Sequence, residues 1–186
     1  TYSSRGNFFR DVFPNQWYYE SVDRAAAAGY MQGVGNGKFC PNDCVTRGQL
    51  VTILHRMAGS PAAEKEAPFT DVASGRYYSE AVAWAYEAEI AKGISTTAFA
   101  PNAAVTREQL VTFLYRYAKF AGLDSVSADL SGYVDANRIS PYAQEAFSWA
   151  VAAGLVKGTS NNTLAPTASA TRAQFATILT RLINAD

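Results

Sequence analysis

Arg47, Arg107 and Arg172 each follow a threonine inside one recurring stretch, written Val45-Thr-Arg-Gly-Gln-Leu-Val-Thr-Ile-Leu-His-Arg56, then again from Val105 to Arg116 and from Ala170 to Arg181. A cation in the first turn of a helix opposes the helix dipole by a few tenths of a kcal/mol, so its threefold recurrence points to a use. Free N–H groups, the positive end of the dipole and a guanidinium together favour a carboxylate or phosphate. Two further columns fit the same chemistry. Asp11, Asp71 and Asp135 sit in aromatic-x-Asp motifs and can accept from hydroxyls, and Trp17 and Tyr77 lead aromatic clusters whose faces suit sugar rings. An acidic sugar would satisfy all three. The plainer readings are an Arg–Asp ion pair between repeats, and aspartates that cap a helix or hold a turn.

The elements that must carry these residues are legible in outline. Thr followed three residues later by Gln, ahead of an apolar run, is a capping box, which makes Thr46, Thr106 and Thr171 helix N-caps. Leu50, Val51 and Leu54, with Leu110, Val111 and Leu114 and with Phe175, Ala176 and Leu179, line one buried face. Upstream, an Ala-rich helix runs through Val22 and Ala25, Val82 and Ala85, and Phe147 and Ala150. It ends at Gly29, Glu89 or Gly154, where glycine suits a left-handed terminus and Glu89 is the exception. A turn glycine follows (Gly33, Gly93, Gly158), then Phe39-Cys-Pro, Phe99-Ala-Pro or Leu164-Ala-Pro.

The three repeats span residues 8–59, 69–120 and 132–184, with connectors at 60–68 and 121–131. A helix–loop–helix unit of about 55 residues buries little alone. The expectation is therefore a single all-α domain over 1–186, a pseudo-threefold bundle with grooves between three lobes; an open stack is the alternative. Trp84 and Trp149, mid-helix, read as packing; Lys92 and Lys157 as solvated lysines near the grooves; His55, matched by Tyr115 and Thr180, as surface variation.

Composition narrows the function. Sixteen basic and sixteen acidic residues cancel, which argues against a nucleic-acid surface, and no apolar run reaches the roughly 18 residues that span a bilayer. With a single His, the two cysteines cannot complete a zinc site. Cys40 and Cys44 replace small residues as a pair, which slightly favours a local disulfide, and with it an oxidising, extracellular setting, over two small buried apolar side chains. The chain opens at Thr1 without a recognisable leader and reads as an excerpt of something longer. A glycosidase-like pair such as Asp11 with Glu20 recurs in every repeat, and three active sites in so small a chain argue against an enzyme; no Gly-x-Ser-x-Gly or phosphate-binding glycine loop is present.

Phe-x-Asp-Val, Trp-Tyr-x-Glu, the glycine after the first helix, Phe-x-Pro-Asn and Val-Thr-Arg-x-Gln, in three in-register copies, resemble the S-layer homology domain in its usual triplet. The resemblance implies a three-lobed α-helical prism around a central three-helix bundle. It also implies non-covalent attachment of a bacterial surface protein, with a fused cargo outside this chain, to secondary cell-wall polysaccharide, commonly through a pyruvylated sugar. No cofactor, metal or membrane insertion is implied. A surface-layer module for protein contact or self-assembly, with sugar binding secondary, is the competing reading. Carried over column by column, the groove residues are Arg47, Arg107 and Arg172; Asp11, Asp71 and Asp135; Trp17 and Tyr77; Gly29 and Gly154. Gln stands where the family usually has Glu after Thr-Arg-x. Glu89 for glycine would set a carboxylate against an anionic ligand, making its groove the weakest, and Pro141 in place of Trp would weaken the third aromatic contact.

Overall fold

A computed structural model describes residues 9–123 and 125–184. Those residues form six α-helices: α1 Tyr19–Ala27, α2 Arg47–Met57, α3 Ser79–Glu87, α4 Arg107–Ala121, α5 Gln144–Ala152 and α6 Arg172–Ile183. Short 3₁₀ turns at Ala136–Arg138 and Pro141–Ala143 precede α5. Beyond isolated bridges, no β-strand occurs among the described residues. The chain is all-α, built as three lobes in pseudo-threefold order.

The capping boxes form as the spacing predicts. Thr46, Thr106 and Thr171 are N-caps in extended conformation, and in each the Thr side chain accepts from the N3 backbone N–H while the Gln side chain accepts from the Thr N–H. The three central helices α2, α4 and α6 bury the predicted face completely; Leu50, Leu54, Leu114, Phe175 and Leu179 have no exposure.

Just before the caps, the three repeats are sewn together. The Val45 N–H donates to Ala170 C=O (2.9 Å), Ala170 N–H to Val105 C=O (3.0 Å), and Val105 N–H to Val45 C=O (2.9 Å). All three residues are fully buried, so this cyclic set of bonds satisfies groups that no water reaches.

The lobes are not the repeats. Helix α3 packs on α2, α5 on α4, and α1 on α6, so each outer helix lies against the central helix of the preceding repeat, and the first repeat closes on the last. The stretch between outer and central helix carries the chain from one lobe to the axis of the next.

One lobe contact pairs a large side chain with a residue that has none. The Tyr78 ring covers Gly48, where an added Cβ would stand 3.0 Å from it. The equivalent pairs by position are Ala173 with Tyr18, and Glu108 with Ala143. In sequence, each of these positional pairs sets a large residue against a small one, the pattern that close packing favours.

Two expectations are corrected. His55 is buried, its Nε2 2.8 Å from the Pro61 carbonyl and its ring centroid 5.2 Å from that of Trp84. Cys40 and Cys44 are free thiols; the turn between them is closed by Asp43 N–H to Cys40 C=O, and Ala103 to Ala100 and Ala168 to Ala165 close the same turn without cysteine, so no crosslink is needed to hold it. Trp84 and Trp149 are core residues as expected.

Thr106→Ala removes one cap of a helix whose start fixes the inter-repeat junction. It should lower stability by about 1 kcal/mol in urea unfolding, with Thr106→Ser recovering most of the loss.

Candidate functional site

The recurring Arg and Asp columns meet on a single peptide in each repeat. Asp11 accepts from the N–H groups of Phe39 and Cys40 (both 2.8 Å), Asp71 from Phe99 (2.8 Å) and Ala100 (2.7 Å), and Asp135 from Leu164 (2.8 Å) and Ala165 (2.7 Å). From the other side, the preceding repeat's arginine donates its Nε to the same residue's carbonyl: Arg172 to Phe39 (2.7 Å), Arg47 to Phe99 (2.7 Å) and Arg107 to Leu164 (2.8 Å). The next residue, Cys40, Ala100 or Ala165, is held at φ +54°, +57° or +49°, a left-handed conformation that costs an L-residue roughly 1–2 kcal/mol. The two charged side chains therefore clamp a strained turn.

This overturns one part of the sequence reading. The helix N-termini are not open to an anion, because their N–H groups are taken: Arg47 and Gly48 donate to Ala103 and Pro101, Arg107 and Glu108 to Ala168 and Pro166, Arg172 and Ala173 to Asp43 and Pro41. The arginines do not pair with the aspartates either; the ion pair seen among the described residues joins Lys119 to Glu145 at 3.6 Å.

The guanidinium groups differ in how far they are used up. Arg172 also donates Nη2 to the Gln32 carbonyl (2.7 Å) and lies 4.4 Å over the Phe39 ring. Arg47 donates Nη2 to the Lys92 carbonyl (2.7 Å) and sits between the rings of Phe99 (4.5 Å) and Phe113 (5.2 Å). Arg107 is more exposed than either, and among the described residues its terminal nitrogens have no hydrogen bond besides the Nε contact. Burial pulls all three below the ordinary arginine value, opposed by Asp71 at Arg47 and by Asp135 at Arg107; an arginine stays charged nonetheless.

Two grooves open between lobes with the same residue set. One, about 370 Å³, is lined by Arg172, Gln49, Thr52, Ile53, Arg56 and Tyr77, with Gln32 at one wall. The other, about 130 Å³, is lined by Arg107, Gln174, Thr177, Ile178, Arg181 and Trp17, with Lys157 at the wall. Trp17 and Tyr77 are 67% and 61% exposed, each steadied edge-on by the next ring, Tyr18 at 5.2 Å and Tyr78 at 4.9 Å. Such a groove offers two cations, an aromatic face and small polar side chains.

Gly29 and Gly154 end α1 and α5 in the left-handed region (φ +76° and +69°) with open space around them, and line neither groove. Glu89 takes the same role at φ +58° and faces a separate open depression with Phe69, Tyr86 and Lys92. The third aromatic is not missing. Tyr142, one residue before the N-cap Ala143 of α5, holds the place that Trp17 and Tyr77 hold before Tyr18 and Tyr78; Pro141 lies one residue further out.

Sequence reasoning overlooked Arg56, Arg116 and Arg181, although their recurrence at the far end of the central helix was visible. Arg56 and Arg181 donate to the carbonyls of Tyr30 (3.0 Å) and Leu155 (2.8 Å) and reach into the grooves.

Residues 8–51, 68–111 and 132–176 match the S-layer homology domain. A 125 kDa surface-layer protein of Lysinibacillus sphaericus is 35% identical over 88% of the chain, an endoglucanase of Bacillus sp. strain KSM-635 30% over 94%, and a cellulosome-anchoring protein of Acetivibrio thermocellus 22% over 88%. The chain spans only 14%, 18% and 38% of these relatives' lengths.

Burial alone would raise the Asp11 and Asp71 carboxyls, but the backbone N–H donors outweigh it and hold both below the ordinary range. Groups depressed in the folded state stabilise it above their unfolded value of about 4 and lose that contribution as pH falls through the folded value. Thermal unfolding should therefore be flat from pH 7 to 5 and drop below about pH 4, and Asp71→Asn should lower stability at pH 7 while flattening that acid limb. With matches covering well over half its length, the chain belongs to the S-layer homology domain family.

Proposed function

We infer that this chain is a non-catalytic anchoring module of the bacterial cell surface, which holds an anionic wall polysaccharide in its inter-lobe grooves and so retains whatever it is fused to. The observation that carries the reading is the duplicated groove: a charged floor arginine, a second arginine and an exposed aromatic face recur in the same register around Arg172 and around Arg107. Two cations favour a carboxylate, and an aromatic ring held edge-on presents a flat apolar face to a sugar. A pyruvylated sugar supplies both.

The aspartates serve this site from behind, by fixing the turn that receives the arginine, so the groups that meet ligand are the arginines with Trp17 and Tyr77. The names of the relatives support a surface role, since one is a surface-layer protein and another anchors cellulosomes. No helix among the described residues is long and apolar enough to cross a membrane.

Retention on purified cell walls tests the reading. Binding should disappear when the non-peptidoglycan polymer is stripped, and Trp17→Ala and Tyr77→Ala, both at exposed positions, should each weaken it about tenfold, or ~1.4 kcal/mol, without changing the unfolding midpoint. Retention that ignores stripping would instead favour protein contact or direct binding to peptidoglycan.

A further inference from the structure

The third groove, which by register would be built on Arg47, Arg116 and Tyr142, differs from the other two most sharply in the charge at one position. Where its counterparts have Gly48 and Ala173, the second residue of α4 is Glu108, 7% exposed. Its carboxylate accepts from the Ser140 N–H (3.1 Å), the Ser140 hydroxyl (3.0 Å) and the Tyr142 hydroxyl (3.1 Å). Tyr142 is thereby fixed in a different way from Trp17 and Tyr77: its neighbour is Ala143, which has no ring to lean on, and its hydroxyl is tied down to the carboxylate.

The surroundings reinforce the difference. Tyr142 lies within electrostatic reach of both Arg47 and Arg116; burial first, then the Glu108 charge and hydrogen bond, push its phenol up to about 12, so it stays neutral and remains a donor at any physiological pH. Arg47 is 5% exposed, stacked between Phe99 and Phe113, with Nε and Nη2 both committed to carbonyls. Arg172, the floor of an open groove, is 4% exposed and committed in the same way, through Nε to Phe39 and Nη2 to Gln32, so the carboxylate and the tethered ring, not the arginine, set this groove apart.

We propose that Glu108 closes the Arg47 groove to anionic glycan, by placing a fixed carboxylate beside it and tethering Tyr142 over it, so that the chain presents two working grooves rather than three. A buried negative charge disfavours a second one nearby, and a tethered ring cannot adjust to a sugar. The inequality thus arises from Glu108 and not from Glu89, which faces elsewhere. This inference rests on the glycan reading above.

Calorimetry with a pyruvylated disaccharide separates the two. The unaltered chain should take up two equivalents and Glu108→Ala three; in a Trp17→Ala, Tyr77→Ala background the two sites should weaken together, and adding Glu108→Ala should restore one. Glu108→Gln combined with Tyr142→Phe, which removes the charge and the tether while keeping the side-chain shape, the Ser140 contacts and the aromatic face, gives the same reading if Glu108→Ala fails to fold. Two equivalents in both the unaltered chain and the Glu108 variants, or three in the unaltered chain, would overturn the closure and leave the glycan reading standing. No uptake by the unaltered chain or by any Glu108 variant would overturn both.

Discussion

Three backbone hydrogen bonds, running from Val45 to Ala170 to Val105 and back to Val45, are the constraint on which the rest of the molecule hangs. Each residue gives one N–H and one C=O to the set, so every group is satisfied only when all three repeats are present and in register. The residue after each is the N-cap threonine and the one after that is the arginine. Fixing the ring therefore fixes where three helices begin, and with it where three guanidinium groups are delivered. The helix N-termini that would otherwise be left with open donors are closed by carbonyls of the adjoining repeat, so the same junction that orders the core also removes the commonest kind of anion site.

Around that junction the arginines serve two ends. Through Nε each pins the turn of the following repeat, while the opposite face of the same turn is held by an aspartate of its own repeat. The glycine turn belongs to this arrangement as well. A Cβ on Gly33, Gly93 or Gly158 would come within 2.8 Å of the Phe9, Phe69 or Tyr133 ring, closer than such atoms approach, so the aromatic of the aromatic-x-Asp motif and the turn glycine are two sides of one contact. Charge at the groove floor is thus a by-product of structural bonding, which consumes Arg47 and Arg172 alike and leaves more of the Arg107 guanidinium free.

Much of this was legible in the sequence because its causes are local. A capping box is four consecutive residues, and a buried helical face is a spacing; both survive in all three repeats and both form. What could not be read were the partners. Backbone carbonyls have no sequence signature, so the acceptors of Arg47, Arg107 and Arg172 were invisible, and so was the choice of each outer helix to pack on the preceding repeat. The third aromatic was misplaced for a countable reason: Asp135 stands nine residues before the start of α5, whereas Asp11 and Asp71 stand eight before α1 and α3. That one added residue moves Pro141 out of register and Tyr142 into it. His55 looked superficial because its column varies in type, but variation there reflects different neighbours, Trp84 for His55 and Trp149 for Tyr115, not exposure.

The packing of α1 on α6 has a consequence for how such a unit can multiply. An interface that joins each repeat to its successor through unlike surfaces can either run on as an open filament or turn back on itself, depending on the rotation per step. Here the rotation closes after three steps, and no free end of the interface remains to accept a fourth. A fourth repeat in the same chain would find these three interfaces already filled. Within one chain a complete set is three repeats, and the order in which the chain visits the lobes is incidental to the shape they make.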